Sequence, residues 1–388
     1  MQNCRFERGS LALLVAIVLL LAFVSSSGAE AQASKASEAV ALEKRGKLAE
    51  AAEAWRSVIQ TNPTDAEAFA SLGVVLSRQE RYPEAAAAYK RALALNAKLP
   101  GVQMNLGLAE FKQGHFEAAI VPLHAAWGSD PQNMQASTLL GLSYYGARRF
   151  ADASKYLEAS AKADPANAEL QETLAQSCLL AKKYSCALDG FEQIQQRNPD
   201  SAAAHMLTGE ALDGLGRTTE AIAEFTLAAK VSPSESNAHF GLGYLYWKLH
   251  QYDEAKREFE KEVAIDPNHA LALSYLGDIE MKRNNLDQAL TLLQQAVSVK
   301  GDIHIAYVDL GAVLTEQKQY QQAIIALRRA IELAPGLPDA HYRLGRAYQG
   351  IGDTEQSATE FAKVRQLHEK ADEPLASKIP PLPRALPQ

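Results

Sequence analysis

Residues 304–337 read HIAYVDLGAVLTEQKQYQQAIIALRRAIELAPGL. Around Gly311 the apolar residues recur at three- and four-residue spacing, the mark of an amphipathic helix. A polar turn follows, and Tyr320 opens a second run of the same period. Gly311 and Ala323 are small, so two antiparallel helices can approach closely at these points. Leu327 lies four residues after Ala323, on the same helical face, and fills the space beside it. Pro335 ends the second helix.

The same pattern recurs on a 34-residue grid in both directions. Gly73, Gly107, Gly141, Gly209, Gly243, Gly277, Gly311 and Gly345 occupy eight grid points, and Ala39 and Ala175 the other two. Twelve residues on stand Ala51, Ala85, Ala119, Ala153, Ala187, Ala221, Ala255, Ala289, Ala323 and, last, Ser357. Four further on come Trp55, Tyr89, Leu123, Leu157, Phe191, Phe225, Phe259, Leu293, Leu327 and Phe361. Tyr82, Phe116, Phe150, Tyr184, Tyr252 and Tyr320 open second helices, and Asp65, Asn133 and Asn167 are placed to cap the next unit. No insertion breaks the register. A fixed period of this length means a stack of supersecondary units.

This pattern resembles the tetratricopeptide repeat family, over residues 32–371. The resemblance implies an all-α, right-handed superhelical solenoid of ten helix-turn-helix repeats, starting at 32, 66, 100, 134, 168, 202, 236, 270, 304 and 338. Some units depart from the pattern: Ala175 replaces Gly, Ala97 and Gly301 replace Pro, and Glu262 stands at a normally small site. The last helix, about Asp353 to Asp372, carries Arg365 and Glu369-Lys370 and reads as a polar cap. A Pro-rich tail, 372–388, follows and is expected to be extended.

Arg5 and Arg8 precede an apolar run from Leu11 to Val24, and small residues lead to Ala31. This is the pattern of a secretory signal over 1–31, cut after Ala31. Fourteen apolar residues make a helix of about 21 Å, short of the roughly 30 Å hydrocarbon core; the alternative is an uncleaved N-terminal anchor. Either reading places the repeats outside the cytosol, periplasmic or secreted. Only an uncleaved segment associates with membrane.

The net charge of −7 disfavours nucleic acid, whose binders show a basic surplus. No phosphate loop, His-Glu-x-x-His, Gly-x-Ser-x-Gly or Cys-x-x-Cys motif is present. The expectation is a chain that is no enzyme and takes no cofactor or metal. His205, His239 and His341 share one repeat position and read as packing residues, because adjacent repeats lie about 8–10 Å apart, too far for one ion. Cys178 and Cys186 flank the turn of the fifth repeat and read either as a disulfide or as two small buried residues.

In the family the first helices line the concave surface, with the second, fifth, ninth, twelfth and thirteenth positions pointing into it. By that resemblance the partner-binding groove comprises Met104, Leu108, Phe111, Leu142, Tyr145, Glu172, Met206, Glu210, Asp213, Phe240, Tyr244 and Trp247, with Glu169 and Lys248 beside them. A later, mixed part holds Asp278, Met281, Lys282, Thr315, Tyr342 and Arg346. Some of the apolar members belong to helix packing instead. Chaperone-binding relatives clamp a carboxylate with Lys and Asn at the fifth and ninth positions of one repeat, and no repeat here has that pair. The implied function is a scaffold for proteins or peptides that carry apolar or aromatic anchors and a basic stretch. The alternative is a glycan- or peptidoglycan-binding module in which Phe111, Tyr145, Tyr244 and Trp247 stack on sugar rings.

Overall fold

The computed structural model describes residues 35–372. The expected leader, with its cleavage site, and the tail after Asp372 lie outside them. The chain divides into two compact units, one to Gly190 and one from Phe191. The first holds α1 (35–44), α2 (Leu48–Thr61), α3 (Ala66–Arg78), α4 (Tyr82–Leu95), α5 (Val102–Lys112), α6 (Phe116–Ser129), α7 (Met134–Gly146), α8 (Phe150–Ala163), α9 (Ala168–Leu180) and the start of α10 (Tyr184–Arg197). The second continues with α11 (Ala202–Gly214), α12 (Thr218–Val231), α13 (Ala238–Lys248), α14 (Tyr252–Ile265), α15 (Ala270–Lys282), α16 (Leu286–Val299), α17 (His304–Glu316), α18 (Tyr320–Leu333), α19 (Pro338–Gly350) and α20 (Thr354–Asp372). Among the described residues all regular structure is α-helical, in ten antiparallel pairs.

The repeat signature is a packing device. A methyl group built on Gly73 would lie 2.5 Å from the Tyr89 ring, and one on Gly277 2.6 Å from Leu293. At the eight glycine grid points the first helix thus presents bare backbone to the large side chain sixteen residues later. The fifth repeat inverts the arrangement. Ala175 is the larger partner, and Gly190 on α10 is the bare one; a methyl on Gly190 would meet the Ala175 methyl at 2.6 Å. The missing glycine has moved to the opposite helix.

Each pair is joined by a turn whose central residue has a left-handed backbone: Gly46, Glu80, Gly114, Arg148, Lys182, Gly216, His250, Asn284, Lys318 or Gly352. The next amide bonds back to the carbonyl five residues earlier, as in Arg81 to Leu76 and Gln319 to Leu314, which closes the helix in a Schellman motif. Helix starts are capped as expected: Asp65 accepts from the Ala68 amide at 2.9 Å, Asn133 from Ala136 at 3.0 Å and Asn167 from Leu170 at 3.1 Å. Ser201 and His269 cap α11 and α15 in the same way.

First helices of successive repeats touch across the intervening second helix, as α5 with α7, α15 with α17 and α17 with α19; no second-helix pair among the described residues makes comparable contact. In each unit the first helices therefore line the inner face. No described helix is long and apolar enough to cross a membrane.

Candidate functional site

In the first unit, α5 presents Met104, Leu108 and Phe111, and α7 presents Leu142 and Tyr145. All are half-buried. Met104, Phe111, Leu142 and Tyr145 rest on the core built around Leu123, Leu140 and Leu157. Phe111 meets Phe116 edge-on at 5.6 Å, and Tyr145 meets Phe150 at 5.8 Å. The Tyr145 hydroxyl donates to Gln176 at 2.7 Å, and the Gln176 amide donates to Glu172 at 3.0 Å. Glu169 and Glu172 are exposed. These side chains thus combine both roles weighed from the sequence, packing with one edge and facing outward with the other. At the end of this unit a Cys178–Cys186 disulfide joins α9 to α10, with Cα atoms 5.8 Å apart, a normal bridging separation.

In the second unit α11 carries Met206, Glu210 and Asp213, and α13 carries Phe240, Tyr244 and Trp247. Asp213 is not a free acid: Lys248 donates to it at 2.7 Å. Glu210 is open to solvent, yet partial desolvation holds its carboxyl above the usual range. Phe240, Tyr244 and Trp247 converge on Tyr275 on α15. Its ring lies 5.0 Å from Trp247, 5.8 Å from Tyr244 and 6.1 Å from Phe240, and it stacks on Phe259 at 5.4 Å. Burial, reinforced by Tyr244, Asp278 and Asp309, pushes its hydroxyl up to about 12. Trp247 Nε1 donates to Asp278 at 2.6 Å, and Lys282 reaches the other oxygen of that carboxylate. Tyr275 stands at the sixth position of its repeat, outside the positions that the family resemblance marks as groove, and the same position elsewhere holds residues such as Ser71, Asn105 and Thr173, so periodicity alone gave it no functional mark.

Glu262, the misfit of the seventh repeat, is fully buried and has a task. Its Oε1 accepts from the Asn237 amide at 2.8 Å and from Ser236 Oγ at 3.3 Å, and its Oε2 accepts from the Phe240 amide at 3.0 Å. Helix α13 starts late, behind a left-handed Asn237 that provides no side-chain cap. The carboxylate from α14 replaces that cap and satisfies the free amides of the first turn. It thereby anchors the helix that carries Phe240, Tyr244 and Trp247.

The three recurring histidines also gain a partner. His205, His239 and His341 bond through Nδ1 to Glu224, Glu258 and Glu360 at 2.7, 2.7 and 2.6 Å. Each carboxylate lies nineteen residues on, in the second helix of the same repeat, so a spacing search of the sequence can find it. Among the described residues no cluster of His, Cys, Asp or Glu is arranged to hold a metal ion.

The later inner face has two recesses. Met281, Thr315, Tyr342 and Arg346, expected there, surround one of about 220 Å³ together with Arg343 and Glu316. The other, of about 280 Å³, lies among Asp278, Lys282, Asp309, Asp339 and Arg343.

Family models described as tetratricopeptide repeat match residues 37–101, 78–133, 187–236 and 240–298, and two others 110–176 and 339–371. A model described as TPR repeat matches 311–352. No curated protein sequence matches the chain. Among solved structures, the Cut9–Hcn1 hetero-tetramer of APC/C is 15% identical, with a TM-score of 0.51 over 89% of this chain and 82% of that one. Yeast Tom70 is 13% identical, with a TM-score of 0.42 over 90% and 94%. MamA from Desulfovibrio magneticus RS-1 is 24% identical, with a TM-score of 0.40 over 44% and 97%. The likeness to Cut9–Hcn1 is one of fold.

Proposed function

We propose that this chain, which belongs to the tetratricopeptide repeat family, is a non-catalytic scaffold that holds a partner protein or peptide on the inner face of its repeats. The observation that carries this reading is the aromatic nest of Phe240, Tyr244, Trp247 and Tyr275, half-buried on α13 and α15. Rigid aromatics at the edge of a packed surface are the usual binding hot spots. The Phe111 and Tyr145 pair repeats that chemistry in the first unit. Around these anchors Glu169, Glu172 and Glu210 present acid, which favours a partner with a basic stretch and acts on association rate and selectivity more than on affinity.

The exported location follows from the leader reading of residues 1–31, and the Cys178–Cys186 disulfide is compatible with an oxidising compartment. N-terminal sequencing of exported protein is expected to begin at Gln32; an intact Met1 on membrane-bound protein would establish the anchor instead. The glycan alternative is less favoured, because the Tyr145 hydroxyl and the Trp247 ring nitrogen are already bonded within the chain.

The test begins with affinity capture from native envelope and mass spectrometry. The identified partner is then titrated against Tyr244→Ala and Trp247→Ala, with melting measured on the same samples. A hot-spot residue weakens binding by about 2 kcal/mol, roughly thirtyfold. Lost stability with unchanged affinity would make the nest a packing feature and end this reading.

A further inference from the structure

One carboxyl of the larger recess has no partner. Asp309 on α17 is 6% exposed, and no hydrogen-bond donor or cation among the described residues reaches it within bonding distance. Its neighbours are otherwise engaged. Asp278 on α15 is held by Lys282 and by Trp247 Nε1, and Asp339 on α19 by Arg343 at 3.1 Å. Three carboxylates therefore face two fixed cations, and the one left over is buried as deeply as Asp278. Apart from His304 the rest of the wall is apolar, with Ile305, Val308, Ala330 and Leu337 as a collar. An uncompensated buried carboxyl beneath an apolar collar is complementary to one kind of group: a cation on an aliphatic stem.

We infer that this recess receives a long basic side chain of the bound partner, its stem against Ile305, Val308 and Leu337 and its charged end on the Asp309 carboxylate. The inference rests on the reading that a protein or peptide occupies the inner face, and it gives that partner's basic stretch an address. A divalent metal does not suit the recess, because its acids do not converge in a ligand geometry, and an anion meets its net acidity. Burial, reinforced by Asp278, pushes the Asp309 carboxyl up to about 7. The groups that face it are Asp278, Lys282 and Tyr275 from α15, Asp339 and Arg343 from α19 and His304 from its own helix, while α18 contributes Ala330. The carboxylate form binds the cation, so binding near neutrality releases a proton and weakens as the pH falls below about 7.

The test is calorimetric titration of n-butylguanidinium and n-butylammonium into the full chain, with neutral n-butylurea as control. Wild-type protein should bind the cations saturably at one site and ignore the urea. Asp309→Asn should bind them at least about tenfold more weakly, while Glu260→Gln, at an exposed acid on α14 outside the inner face, should match wild type. Affinity should fall between about pH 8 and about pH 6. Ile305→Trp, which blocks the half-exposed rim without touching the acid, should reproduce the loss and covers the case in which Asp309→Asn fails to fold. Absence of saturable binding to wild type, or equal binding by Asp309→Asn, overturns the inference. Such a failure, with an isolated partner still weakened by Trp247→Ala, removes the recess and leaves the scaffold reading. Cation binding at Asp309 with no effect of Trp247→Ala on that partner does the reverse.

Discussion

Truncating Glu262 to Ala should destabilise the seventh repeat by about 3–5 kcal/mol. The magnitude follows from what the carboxylate holds. It accepts two backbone amides, Asn237 at 2.8 Å and Phe240 at 3.0 Å, and one hydroxyl, Ser236 at 3.3 Å. A hydrogen bond to a charged group contributes about 1.5–3 kcal/mol, and each buried donor left without a partner costs about 1–3 kcal/mol. Set against these is the relief of desolvating a carboxylate that has no Lys or Arg partner and whose neighbour His269 lies 3.8 Å away. The balance stays unfavourable because α13 has no other cap. Glu262→Gln keeps one acceptor but turns a donor toward an amide, and should cost about half as much. The assay is urea unfolding of both variants beside Glu260→Ala, an exposed neighbour on the same helix, where a change within about 0.5 kcal/mol is expected. Hydrogen exchange at the Asn237 and Phe240 amides should accelerate first, since the loss is local. If Glu262→Ala and Glu260→Ala unfold alike, or exchange at Phe240 is unchanged, the capping argument is wrong.

Further perturbations probe other parts of the structure. Gly277→Ala places a methyl 2.6 Å from Leu293 and should cost about 1–3 kcal/mol, whereas Gly128→Ala meets nothing within 4 Å and should stabilise α6 by up to about 1 kcal/mol; thermal melts of opposite sign are the check. Lys318→Gly should stabilise by up to about 1 kcal/mol, because Lys318 holds φ at 62°, where a side chain is strained; an unchanged or lowered midpoint in urea would contradict this. Asp309 has a raised folded pKa of about 7, so the folded state takes up its proton before the unfolded chain does. Stability should therefore rise as pH falls from about 7 toward about 4, by at most about 4 kcal/mol from this residue. Asp309→Asn should flatten that segment of the pH–stability curve, and a profile of unaltered slope would refute the assignment. Reducing the disulfide, which spans a sequence separation of 8, should lower stability by about 2–3 kcal/mol in the chain-entropy treatment. Intact mass after thiol labelling without reductant should show neither Cys178 nor Cys186 modified, and full labelling would dismiss the bridge.

What the sequence alone determined is everything that depends on short-range periodicity. Helix faces repeat every 3.6 residues, so the apolar spacing around each glycine locates both helices of every unit. The constant interval from Gly73 to Tyr89, or from Gly277 to Leu293, states which residues meet, because helix geometry and a fixed turn length convert sequence distance into spatial distance. The caps at Asp65, Asn133 and Asn167 are legible for the same reason. Tertiary structure decided the rest, where the deciding quantity is burial or the direction of a side chain across a helix interface. Glu262 looks like an error in the repeat until α13 is seen to begin late beneath it. Asp213 counts as free acid until Lys248, 35 residues on, is found against it. Tyr275 and Asp309 share a repeat position with Ser71, Asn105 and Thr173, and only their surroundings set them apart. A carboxyl at the surface and one beneath an apolar collar are written with the same letter; solvent exclusion, which belongs to the packed array and not to the residue, gives Asp309 an uncompensated charge.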